Sequence, residues 1–181
     1  MQFQLNISLT EEDYLSFNYF HMLESIPGKK RIRKARTVFA IIMLAFAALV
    51  ILILGLTTFS VLYALFLALF TAVYLLFYNR RVKRNIKAQV NSLKKTGKLP
   101  FDPVATFEFY EDKLVEITPT KRIEQSYDAL ERICLVGDRY LILYFSSVSA
   151  YILPAPQIPE QLNQDDFLRF LLPKCSIVEY Y

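Results

Sequence analysis

The chain has little of what enzymes and metalloproteins build their sites from. Of its 181 residues, four are glycine, two are cysteine and one is histidine. Four glycines leave almost nothing for phosphate-cradling loops, and no GxGxxG, P-loop, GxSxG or HExxH pattern occurs. His21 has no second histidine or cysteine beside it, which argues against a zinc site. The acidic pairs Glu11-Glu12, Glu111-Asp112 and Asp165-Asp166 fall where helix starts and turns are expected, an ordinary use of carboxylates. Ser146, Ser147 and Ser149 lack an evident basic partner and read as a turn. No catalytic residue, metal site or cofactor is expected, and the chain reads as a non-enzyme.

The most consequential absence is charge. From Thr37 to Tyr78, forty-two residues pass without an Asp, Glu, Lys, Arg or His. A bilayer span takes about twenty apolar residues, so the stretch has length for two. As one helix it would run about 63 Å, roughly twice the hydrocarbon thickness. Gly55 is its only glycine, and Thr57 and Thr58 follow closely. A turn there divides it into transmembrane helices over 37–54 and 59–78. A cleaved signal peptide is excluded, because its apolar region would be shorter and nearer the start.

Basic residues crowd both ends of this hairpin. Lys29, Lys30, Arg31, Arg33, Lys34 and Arg36 precede it; Arg80, Arg81, Lys83, Arg84, Lys87, Lys94, Lys95 and Lys98 follow. No acid occurs between Glu24 and Asp102, and the turn is uncharged. The positive-inside rule then puts both termini in the cytoplasm of a multi-pass cell-membrane protein. Lys29, Lys30, Arg31, Arg33, Lys34, Arg36, Arg80, Arg81, Lys83 and Arg84 are the candidate contacts to anionic lipid headgroups, although topological retention alone would also place them there. The excess basicity is juxtamembrane: residues 101–181 carry thirteen acids against seven bases. Nucleic acid is therefore not an expected partner. Cys134 and Cys175 both fall on the reducing side, so no structural disulfide is expected.

Outside the hairpin the periodicities change. Residues 1–9 alternate, with Phe3, Leu5 and Ile7 on one side, and read as a strand. Thr10 and the acids after it start a cytoplasmic amphipathic helix over 10–25, broken by Ser25-Ile26-Pro27-Gly28. Within it Tyr14, Phe17 and His21 form an aromatic face. Residues 79–98 read as a basic amphipathic extension with Val82, Ile86, Val90 and Leu93 on one face, ended by Gly97 and Pro100. From Phe101 short β-rich runs follow one another: ATFEFY, KLVEIT, RIEQSY, ALERICLV, YLILYF and AYILP. A proline-rich loop, Pro154 to Pro159, then leads to a short C-terminal helix. About eighty residues make a small core, and the N-terminal strand is expected to join the C-terminal sheet as an extra edge.

The order of these pieces resembles the YcxB-like family of bacterial membrane proteins: an LTEEDYLSFN segment, a basic stretch, an apolar hairpin, then a tail bearing QSYDALERI, DRYLILYF and SAYILP. The chain departs from that pattern at Tyr127, where tryptophan is expected, and at Ala155, where a basic residue often follows the proline. The resemblance implies a pleckstrin-homology-like (PH-like) domain over 101–181, with a bent antiparallel sheet closed by a helix, and carries over no catalytic residue. The expected fold class is thus an α+β membrane protein: a two-helix transmembrane hairpin plus an antiparallel PH-like β-sheet with a C-terminal helix. The expected function is a membrane-anchored cytoplasmic binding or regulatory module, with a protein partner on the β domain. The alternative is a small oligomeric channel or transport accessory subunit, for which self-association through the hairpin would be needed.

Overall fold

A computed structural model describes residues 1–96, 101–146, 149–158 and 164–181. The fold is α+β, with two long apolar helices and mainly antiparallel sheets. It divides into two compact units: Met1–Tyr14 with Pro100–Tyr181, and Leu15–Leu99.

Among its described residues the first unit holds eight strands. β1 (Phe3–Ser8), β2 (Val104–Phe109), β3 (Lys113–Ile117) and β4 (Arg122–Ser126) form one four-stranded antiparallel sheet in that order. β1 runs against β2 from Phe3↔Phe109 to Ser8↔Val104, so the two strands are paired neighbours although the helical segment separates them in sequence. A second sheet has the order β7 (Ala150–Pro154), β6 (Tyr140–Tyr144), β5 (Arg132–Val136), β8 (Val178–Tyr180). The turn between β5 and β6 places Gly137 at φ +47°, a conformation a side chain would oppose. Leu5, Ile7, Phe107, Phe109 and Leu114 of the first sheet share one core with Ile133, Leu141, Leu143 and Leu153 of the second. Helix α4 (Gln164–Leu171) adds Phe167 and Leu171 to it. Its Phe167 ring meets Phe3 and Phe109 edge-on, at 5.4 and 4.9 Å.

Two details correct the sequence expectation. The β region is two sheets rather than one, because Tyr127–Ala129 forms a 3₁₀ turn that ends β4 and redirects the chain. The C-terminal residues Val178–Tyr180 add a strand parallel to β5, which no local pattern announced.

The second unit is built on two helices, α2 (Ile26–Leu54) and α3 (Thr58–Lys95), about 43 and 57 Å long. Both overrun the expected spans because the flanking basic residues continue the helices. They pair antiparallel, with Phe39 stacked on Tyr74 at 4.1 Å and Phe46 edge-on to Tyr63 at 6.4 Å. The turn is closed by its own polar groups. Gly55 sits at φ +68°. Thr57 Oγ1 accepts from Ser60 N at 3.2 Å, while Ser60 Oγ accepts from Thr57 N at 3.0 Å and donates to Gly55 O at 2.6 Å. That reciprocal cap satisfies backbone groups which a helix start otherwise leaves open.

The expected break at Ser25–Gly28 is narrower than anticipated. After α1 (Glu11–Tyr19), a π-helical turn runs over Phe20–Glu24, and only Ser25 is extended. Ser25 Oγ donates to His21 O at 2.6 Å and accepts from Gly28 N at 3.1 Å. Pro27 fits the first turn of α2, where its missing N–H is no loss. Gly28 is required by packing: a Cβ there would collide with the His21 and Met22 carbonyl oxygens. Gly97 and Pro100, the end of the expected extension at residue 98, Ser147 and Pro159 lie outside the described residues.

Candidate functional site

Apolar side chains cover the α2–α3 hairpin on its outside. The most apolar stretches of the two helices have mean hydropathies of 3.1 and 2.3, yet almost none of their residues are buried. Leu52, Leu56 and Leu76 are each more than three-quarters exposed. A core helix of a soluble fold would have these positions covered. Both helices are long and apolar enough to cross a bilayer. The hairpin's internal hydroxyls are used locally, Thr71 Oγ1 donating to Leu67 O at 2.8 Å and Ser60 Oγ to Gly55 O.

At the charged end of the hairpin, α2 carries Lys29, Lys30, Arg31, Arg33, Lys34 and Arg36, and α3 carries Arg80, Arg81, Lys83 and Arg84. The side chains are exposed, apart from a half-buried Arg36. Arg36 Nη2 donates to Asn79 Oδ1 at 3.1 Å across the hairpin, and its guanidinium lies 5.4 Å from the Tyr78 ring centre. Arg80 and Arg81 rest near Phe77 and Tyr74, and Lys83 lies over Tyr19 at 5.4 Å. Among the described residues, none of the ten has a carboxylate partner. These ten cations, four of them beside aromatic rings and none facing a carboxylate among the described residues, form a collar open to external anions. Asn79, which ties the two helices there, gave no sign of that role in the sequence.

The β unit offers a different surface. A cavity of about 350 Å³ opens between the β5–β6 turn, the exit of β7 and the start of α4. Leu135, Leu141, Ile158, Phe167 and Leu168 make its walls, with Asp138 and Tyr140 as polar members. Tyr140 Oη donates to Asp13 Oδ1 at 3.0 Å. Burial works to raise the Asp13 carboxyl, but hydrogen bonds from Thr10 and Tyr140 outweigh it and hold the group below the usual carboxylate value. This cavity is assembled from three distant segments, so no run of sequence could reveal it.

Sequence reasoning also missed a polar cluster where β5 meets β8. Glu179 Oε2 accepts from Tyr181 Oη at 2.7 Å and from Cys134 Sγ at 3.4 Å, and lies 3.7 Å from Arg132 Nη1. Arg132 stacks over Tyr144 at 4.2 Å. Burial, reinforced by the Glu179 hydrogen bond, pushes the Cys134 thiol up to about 12. A thiol so held is a weak nucleophile at neutral pH. Among the described residues, no group of three or more His, Cys, Asp or Glu is arranged to hold a metal ion.

Compared with known proteins, the chain matches no family model, no curated protein and no solved structure.

Proposed function

We propose that this chain is a membrane-anchored, non-enzymatic binding or regulatory module. In this reading the α2–α3 hairpin spans the bilayer twice, with both termini cytoplasmic and the Gly55 turn on the far side. The observation that carries it is the hairpin itself: an uncharged surface facing outward, bounded at one end by ten cations without a carboxylate partner among the described residues and at the other by a turn that satisfies its own polar groups. Anionic headgroups supply the counter-charge that the chain lacks. The hydroxyls of Ser60 and Thr71 bond within the hairpin, which supports an anchor over a conduit.

The β unit is proposed to be PH-like and the chain a YcxB-like protein. Support comes from two successive antiparallel meanders, β2–β4 with β1 added at its edge and β5–β7, with α4 packed into their shared core. The cavity beside α4 and the free edge of β4 are the surfaces available to a partner.

Cysteine labelling in intact cells tests the anchor. The native thiols are buried, so Leu56→Cys at the turn and Ser92→Cys beyond the collar can be read separately. A membrane-impermeant maleimide is expected to label position 56 in intact cells, and position 92 only after permeabilisation. Recovery of the chain in the soluble fraction, or the reverse labelling pattern, overturns the reading.

A further inference from the structure

Among the described residues, the four-stranded sheet leaves the β4 edge uncovered, and its β1 edge is covered only at one end. At its β1 side, Ser8 is held by Gln157 through two hydrogen bonds of 2.7 Å, from Ser8 N to Oε1 and from Nε2 to Ser8 O. At the other side stands β4. Its pairing with β3 fixes which of its backbone groups are occupied. Thr118 N donates to Lys121 O and Tyr127 N to Asp112 O, and the register between them runs from Ile117↔Arg122 to Lys113↔Ser126. Hydrogen-bonded pairs alternate along an antiparallel ladder. Lys121, Ile123, Gln125 and Tyr127 therefore face β3, and the N–H and C=O groups of Arg122, Glu124 and Ser126 point outward. Among the described residues nothing bonds to the outward backbone groups of Arg122 and Glu124, while Ser126 caps the 3₁₀ turn that follows.

The side chains on this edge select a partner. Two antiparallel copies of β4 can exchange hydrogen bonds only in registers that set outward-facing residues opposite one another. Centred on residue 122 or 124, such a pairing opposes Arg122 to Arg122 or Glu124 to Glu124. Centred on Ile123, it opposes Arg122 of each copy to Glu124 of the other and leaves no like charges facing. Arg122 and Glu124 are about half exposed; Arg122 meets its own-chain carboxylates only at 3.6–3.8 Å, so its guanidinium is loosely held, while Glu124 accepts from Lys113 through Oε2 at 2.7 Å and keeps Oε1 for a second cation.

We propose that β4 is a self-recognition edge: two copies of this chain pair β4 to β4, antiparallel and centred on Ile123, joining their sheets into one of eight strands. The pairing uses only the β unit and goes beyond the membrane-anchored reading without depending on it. Four backbone hydrogen bonds and two opposed charge pairs make a weak contact in solution. Confinement of both copies to one surface would raise their effective concentration.

Charge reversal on the full-length chain, carrying two different affinity tags and extracted in mild detergent, tests the proposal. Wild-type copies are expected to co-isolate. Arg122→Glu alone and Glu124→Arg alone each oppose like charges in both pairs and should weaken self-association about tenfold or more. Mixed together, the two variants are again complementary and should co-isolate like wild type, a rescue that misfolded chains cannot give. The register is read independently by oxidation: Ile123→Cys should cross-link to itself, because residues in a non-hydrogen-bonded pair lie about 4.5 Å apart at Cα. No wild-type association, single variants that associate as wild type does, or a mixture without rescue would each overturn the proposal.

Discussion

Cys134 shows how one residue's surroundings set its chemistry. It lies within an apolar strand, is fully buried, and donates to the Glu179 carboxylate. Burial first, and the Glu179 bond second, raise its folded pKa above that of an unfolded thiol. A group with a raised folded pKa binds its proton more tightly in the native state. Its contribution to stability is thus fully present below about pH 9 and lost as pH climbs from there towards about 12. Tyr151, pushed up to about 12 by burial and by Glu116, adds to the same loss, and burial acts in the same direction on Tyr127 and Tyr144. The melting temperature should therefore be flat from pH 7 to about 9 and fall above it, with Cys134→Ala falling less steeply at the start. In the native fold at pH 8 the thiol should resist alkylation. Rapid labelling there would contradict the burial that underlies the prediction.

Among the elements, β1 was the most legible in sequence and is the most exposed to test. Its alternation put Phe3, Leu5 and Ile7 on one side, and Leu5 and Ile7 are buried to within one per cent. Leu5→Ala removes side-chain atoms from the shared core of both sheets and should cost about 2–5 kcal/mol. Asn6→Ala, on the exposed side of the same strand, loses one side-chain bond to Thr106 and should cost well under half as much. Denaturant midpoints of the two variants compare them directly; equal shifts would mean that the strand does not anchor the core. The long helices were legible for a different reason, an uninterrupted absence of charge. What escaped the sequence was structure made only by distant partners. β8 is three residues long and exists because β5 offers it an edge. The π-helical turn at Phe20–Glu24 depends on Ser25 and Gly28 closing against it. The basic collar could be read residue by residue, but the cavity beside α4 could not, since its walls come together only in the fold.

At the scale of the whole molecule, the β unit is interrupted by everything between β1 and β2. Leu9 N donates to Pro103 O at 2.8 Å, so the two ends of that interruption are adjacent. Replacing residues 10–102 with a short Asn-Gly-containing turn should therefore leave a water-soluble β protein of native sheet register, at the loss of the Asp13–Tyr140 bond. Dispersed amide resonances would report a single native state; a collapsed, featureless spectrum would show that the excised segment is needed to fold the sheets. The adjacency also imposes a timetable on synthesis. β1 leaves the ribosome first, and its partner follows only after the ninety-five residues from Leu9 to Pro103 have been made. At about 5–20 residues per second that is a wait of roughly 5–20 s. For those seconds a strand with one apolar face has no sheet to enter, while both long helices are completed. Assembly is thereby ordered in time, with the helical hairpin made before the first strand can find its place.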